Sequence, residues 1–310
     1  MKLHDNPNEF QELITLTAQE KHIPESAVER DYYIVRALLY LSQSEYASSC
    51  VFKGGTSLSK CYPGSIERFS EDIDLTFIPD EGMTNKQIER KLKSIEKLMT
   101  VNSNTEIVPN ERNERNKSIY FWYNDKNSKI KLEIGSSVRP EPYGLRPVKT
   151  YIQEYLEYHN YLDVVDEYEL VCIFVNALNI ERTFLDKVMS VKRHSICGTI
   201  SGKARHIYDV VRLFSMPEIQ SFLDNKAELK RLISLTKETD SVYLEKRNIP
   251  KGYDPVSSYN FNAWTSQFLD AKNAYEHLHK ELLYTDEKQK FTEAITTFEK
   301  INSLLKEINE

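Results

Sequence analysis

The stretch Phe52-Lys53-Gly54-Gly55-Thr56-Ser57, followed after a loop by Arg68-Phe69-Ser70-Glu71-Asp72-Ile73-Asp74-Leu75, constrains this chain more than any other feature. Val51 and Phe52 read as the end of a short buried strand. Gly54 and Gly55 let the backbone turn tightly and approach a ligand with no Cβ in the way. Thr56 and Ser57 then open a helix that runs through Leu58 and Lys60 to about Tyr62, where Pro63 and Gly64 stop it. A helix N-terminus carries unpaired N–H groups and partial positive charge, so this turn is expected to hold a phosphate. The hydroxyls of Thr56 and Ser57 would add donors, and Lys60, one turn further on, would add positive charge. Taken alone, the glycine pair describes any strand, turn and helix.

The second half of the stretch changes that balance. Residues two apart in a strand share a face, so Asp72 and Asp74 project together while Ile73, Leu75 and Phe77 pack behind them. Carboxylates this close repel each other unless a cation lies between them, and aspartate is depleted in strands. Oxygen-rich pairs suit Mg²⁺, bound through a few carboxylates plus substrate phosphates, with Mn²⁺ the alternative ion. A third carboxylate is expected on a neighbouring strand. In Lys129-Ile130-Lys131-Leu132-Glu133-Ile134-Gly135 the apolar residues alternate with Lys131 and Glu133, which makes Glu133 the candidate. Periodicity is equally satisfied if that face is simply solvated.

These residues resemble the AbiEii/AbiGii toxin family, nucleotidyltransferases of bacterial type IV toxin–antitoxin systems that include the MenT toxins and act in abortive infection. Val28-Glu29-Arg30-Asp31-Tyr32-Tyr33 is similar to the family's helix before the active-site strand. Arg182-Thr183-Phe184-Leu185-Asp186-Lys187 resembles its acidic-lysine motif, with Asp186 where relatives often carry Glu, and Ala204-Arg205-His206-Ile207-Tyr208-Asp209-Val210 its Arg/Asp helix. The resemblance spans about residues 25 to 215. It implies an α+β fold, a polymerase-β-like nucleotidyltransferase core with a mixed sheet. The gap between Gly55 and Asp72 is longer than in the wider superfamily, so the loop from Tyr62 to Phe69 is expected to be particular to this group.

The chemistry that follows is transfer of a nucleoside monophosphate from an NTP. Asp72, Asp74 and Glu133 would hold Mg²⁺, and Gly54, Gly55, Thr56, Ser57 and Lys60 would grip the departing phosphates. Lys187 and Arg205 would neutralise developing charge, with Asp186 orienting Lys187 or the base rather than binding metal. The acceptor implied by the resemblance is the 3′ end of tRNA, blocked so that translation stops. A genetically linked antitoxin is implied as well, one that need not bind directly. A nucleotidyltransferase acting on a small molecule such as an antibiotic would favour an acidic acceptor pocket. Against it, Asp186 to Arg212 carries six Lys or Arg residues and two Asp, an excess that suits RNA or triphosphate and equally a solvated helix face. A catalytically silent binding protein on the same fold would gain nothing from the intact aspartate pair.

Composition sets the remaining bounds. The 310 residues favour about two domains, and their net charge of −6 does not by itself suggest nucleic-acid binding. Cys50, Cys61, Cys172 and Cys197 show no CxxC spacing, and Leu170–Val175, the longest apolar run, is too short to span a bilayer. With no apolar leader after Met1, a soluble, cytoplasmic protein without a membrane partner is expected. Helices are expected from Glu9 to Lys21, Pro24 to Gln43 and Asn85 to Met99, and sheet around Glu106, Ile119 to Tyr123 and Ile130 to Ile134. A hairpin loop is expected over Asn110 to Lys117. Beyond Glu181 the pattern is helical, with Leu229 to Thr236, Trp264 to Leu283 and Thr292 to Ile308 as bundle-forming segments. The Gly198–Gly202 turn suggests a nucleotidyltransferase domain over 1–198 and a mainly helical one over 199–310.

Overall fold

The structure, a computed structural model, describes residues 1–196, 198–245, 268–281 and 289–308 together with Leu283 and Thr285. Cys197 and the start of the Trp264–Leu283 segment lie outside the described residues. The chain divides into two compact units, Met1–Tyr62 with Phe69–Leu178 and Pro63–Arg68 with Asn179–Glu310. The expected boundary at 198/199 instead falls inside the second unit, because the long helix from Ile180 to Ile196 packs on the helix that follows the turn. The loop before Asp72 also contributes Pro63–Arg68 to that unit.

In the first unit, helices α1 (Pro7–Lys21) and α2 (Glu25–Ser42) precede β1 (Cys50–Lys53), α3 (Gly54–Cys61) and β2 (Asp72–Phe77). After α4 (Asn85–Met99) come β3 (Asn104–Ile107), β4 (Asn116–Trp122), β5 (Ile130–Gly135) and β6 (Tyr143–Val148), then α5 (Tyr151–Tyr158), α6 (Leu162–Glu167) and β7 (Ile173–Leu178). The strands form one mixed sheet in the order β3-β4-β5-β2-β1-β7-β6. Strand β2 is antiparallel to β1 and parallel to β5. The helix over 85–99 starts with a full capping box, Thr84 and Gln87 satisfying each other's backbone N–H groups. It buries Ile88, Leu92, Ile95 and Met99, one stripe at helical spacing.

Strands β6 and β7 were not anticipated from sequence. Strand β6 reads Tyr-Gly-Leu-Arg-Pro-Val, and glycine and proline are poor strand formers. Pro147 is tolerated because β6 is an edge, where a missing N–H leaves no ladder bond unmade. The loop expected over 110–117 ends slightly earlier, at the start of β4.

From Ile180 on, the described residues of the second unit are mainly helical, as expected beyond Glu181: α7 (Ile180–Ile196), α8 (Ala204–Phe214), α9 (Pro217–Asp224), α10 (Lys226–Glu245), α11 (Phe268–Glu281) and α12 (Phe291–Glu307). Its core holds Phe184 and Val188 from α7, Ile207 and Tyr208 from α8, Leu229 and Leu232 from α10, Tyr275 from α11 and Phe298 from α12. Those apolar stripes make a bundle interior.

Candidate active site

Strand register builds the acidic face of the first unit. Lys53 pairs with Asp74 across β1 and β2, while Asp72 pairs with Lys131 and Asp74 with Glu133 across β2 and β5. Residues paired side by side share a face, so Lys53, Asp72, Asp74, Lys131 and Glu133 stand together, each partly exposed. Behind them Ile73, Leu75, Leu132 and Ile134 are fully buried. The alternation that makes each strand amphipathic is therefore what presents these charges.

Gly54 adopts φ +84°, a left-handed conformation, and its backbone lies directly against the Asp74 side chain. A methyl group built on it would come within 3.3 Å of the Asp74 Cβ and overlap a carboxylate oxygen. Only glycine meets both demands. Gly54→Ala is expected to cost about 1–3 kcal/mol of stability and to displace Asp74, which thermal melting together with the transfer assay below would check. A variant as stable and as active as wild type would contradict this packing.

Glu133 has a competing partner. Its carboxylate is 3.2 Å from the Lys131 ammonium, which also lies 2.6 Å from Glu111. Burial works against the charge of Lys131, but the two carboxylates hold its ammonium above the usual lysine range. Among the described residues, no three His, Cys, Asp or Glu side chains converge as they would around a metal ion. Asp72 and Asp74 offer paired oxygen donors of the kind Mg²⁺ takes alongside phosphate oxygens and water. Glu133, the third carboxylate expected from sequence, stands on the same face as the aspartate pair and is ion-paired with Lys131 on its own strand.

Helix α3 departs from expectation in its side chains. Thr56 and Ser57 are buried, and the Thr56 hydroxyl donates to Ser70 Oγ at 3.0 Å. Lys60 is buried too, its ammonium 2.7 Å from the Asp31 carboxylate and 4.0 Å from the centre of the Tyr151 ring. Helical geometry turns these three inward and leaves Gly54 and Gly55 partly exposed at the N-terminus. Backbone N–H groups, not the hydroxyls or Lys60, are what this helix presents. Burial also pushes the thiols of Cys50 and Cys61 up to about 12, so neither is a ready nucleophile.

Lys187, Asp186 and Arg205 belong to the second unit. There Asp209, fully buried on α8, accepts from Arg68 through both oxygens at 2.6 Å and lies 2.7 Å from the Lys187 ammonium. Burial alone would raise its pKa, but Arg68 and Lys187 hold the carboxyl well below the usual aspartate range. Asp186 accepts from Arg182 Nε at 2.9 Å, and the carboxylate paired with Lys187 is that of Asp209. Arg205 is exposed, whereas Lys187 and Lys192 are buried; the basic stretch is partly core. A role for Asp209 was missed from sequence. Its signal was an acid on the apolar stripe of Ile207, Tyr208 and Val210.

The fold, a mixed sheet with a helical unit, is shared with a solved nucleotidyltransferase toxin. MenT4, a nucleotidyltransferase toxin from Mycobacterium tuberculosis H37Rv, superposes with TM-score 0.52 at 13% identity, over 95% of this chain and 98% of that one. JHP933 from Helicobacter pylori matches with TM-score 0.40 at 16% identity, over 83% of this chain and 95% of that one. Comparison with curated protein sequences finds no match. At the family level, residues 36–300 match the nucleotidyl transferase AbiEii toxins of type IV toxin–antitoxin systems, and the chain belongs to that family.

Proposed function

We propose that this protein transfers a nucleoside monophosphate from an NTP to the 3′ end of tRNA and thereby blocks translation. The observation that carries this is the packing of Gly54 against Asp74, which brings the N–H groups of a helix start to the aspartate pair. Phosphate is held by the former and charge by the latter. Mg²⁺ held by Asp72 and Asp74 would polarise the phosphoryl oxygens and lower the pKa of the acceptor hydroxyl. That hydroxyl oxygen bonds to the α-phosphorus, the bond to the β-phosphate oxygen breaks, and pyrophosphate leaves as the hydroxyl proton is released. Gly54 and Gly55 bind the leaving phosphates through the backbone. Glu133, ion-paired with Lys131 on the same face, would be the third carboxylate available to the ion. The family resemblance assigns charge neutralisation to Lys187 and Arg205.

No described helix is long and apolar enough to cross a membrane, and the proposed substrates, NTP and tRNA, are those of the cytoplasm. The test is incubation with each α-³²P-labelled NTP and total bacterial tRNA, with Mg²⁺ or with EDTA. Label on tRNA from one or two nucleotides, absent in EDTA, is the expected result. Label on a cationic antibiotic but not on tRNA would transfer the proposal to a small-molecule acceptor; no label at all would overturn it.

A further inference from the structure

We infer that Asp31 is a positioning residue for the nucleotide-binding helix, acting through Lys60; this rests on the nucleotidyltransferase function just proposed. Asp31 is buried on α2 and serves three elements at once. One oxygen lies 2.7 Å from the Lys60 ammonium on α3, and the other accepts the Tyr151 backbone N–H at 2.6 Å, at the first turn of α5. The Lys60 ammonium also lies over the Tyr151 ring and 3.9 Å from Glu154. With its side chain 2% exposed, Lys60 is enclosed by α2 and α5.

Helix α3 needs such an anchor. It has eight residues, no side-chain cap at its start, and two glycines in its first turn, where backbone freedom is greatest. Its orientation is therefore set from the other end, where Lys60 is the one cation on the helix. A tilt of α3 shifts Gly54 relative to Asp74, and displacements near 1 Å cost on the order of 10²-fold in rate where groups must be aligned. A buried ion pair is weak evidence for stability, and the role assigned to this one is geometric: one carboxylate ties α3 to α2 and α5 through the Lys60 ammonium and the Tyr151 N–H. One carboxylate thus holds the phosphate grip in register with the aspartate pair.

The alternative for Lys60 is direct contact with the triphosphate, and a double-mutant cycle separates the two. Binding of an α,β-methylene NTP would be measured by calorimetry for wild type, Asp31→Asn, Lys60→Met and the double variant. The brace is expected to weaken binding about tenfold in each single variant, with the double variant no worse than either. Lys60→Arg, which retains the charge, is expected to recover most of the affinity. If Lys60→Met weakens binding and Asp31→Asn does not, Lys60 contacts the nucleotide and the inference is overturned. It is also overturned if all variants bind within twofold of wild type, whatever their melting temperatures. The double variant removes both buried charges, so if a single variant fails to fold, binding by the double variant within twofold of wild type still overturns the inference. Failure of the wild type to bind any NTP would overturn the proposed function, and this inference with it.

Discussion

Asp74→Asn is expected to lower nucleotidyl transfer about 10³-fold or more while leaving the melting temperature close to that of wild type. Asparagine keeps the shape that packs against Gly54, so the helix start stays in place. What is lost is one of the two negative charges on the β2 face, and with it a ligand for the cation expected there. An ion held by one carboxylate in place of two would polarise the phosphoryl group less, at an expected loss of several kcal/mol of transition-state stabilisation. Asp72→Asn, on the same face and without the Gly54 contact, is expected to fall as far. The check is the initial rate of label incorporation at saturating NTP, alongside thermal melting. Transfer within tenfold of wild type would exclude the aspartate pair as the catalytic centre.

Asp209→Ala is expected to destabilise the second unit by about 3–5 kcal/mol, because it leaves Arg68 and Lys187 as buried cations without their shared carboxylate. Asp209→Asn restores the shape but not the charge and is expected to recover only part of the loss. The same group makes stability depend on acid. Its folded-state pKa is depressed, so its contribution is complete above the ordinary aspartate value of about 3.9 and is lost as pH falls below that towards the folded value. Urea unfolding at neutral pH and in mild acid, for wild type and Asp209→Asn, measures both effects. The gap between them is expected to be constant at neutral pH and to narrow below about pH 4. A variant as stable as wild type at neutral pH would show that this triad does not hold the unit together.

Much of the site was legible in sequence because its signals are local. Ile73 and Leu75 flanking Asp74, and Leu132 and Ile134 flanking Glu133, state which way each strand faces, since strand period follows from backbone geometry. Gly54 and Gly55 ahead of a helix state where a backbone N–H cluster lies. Lys60, Thr56 and Ser57 show the limit. Their residue types suit phosphate, yet all three lie on a buried face of this eight-residue helix, and residue type does not say which face the core covers.

The chain by itself determined the faces of its strands, the start of its glycine helix and its family, all written in residues close together in sequence. Only the tertiary structure decided the partners. It put β5 beside β2 with β3 and β4 beyond, gave Lys60 to Asp31, gave Glu133 to Lys131, and joined Arg68 to Asp209 across 141 positions. The physical reason is that a side chain's direction is set by the backbone it stands on, whereas a buried charge's partner is set by which distant segment the core brings against it.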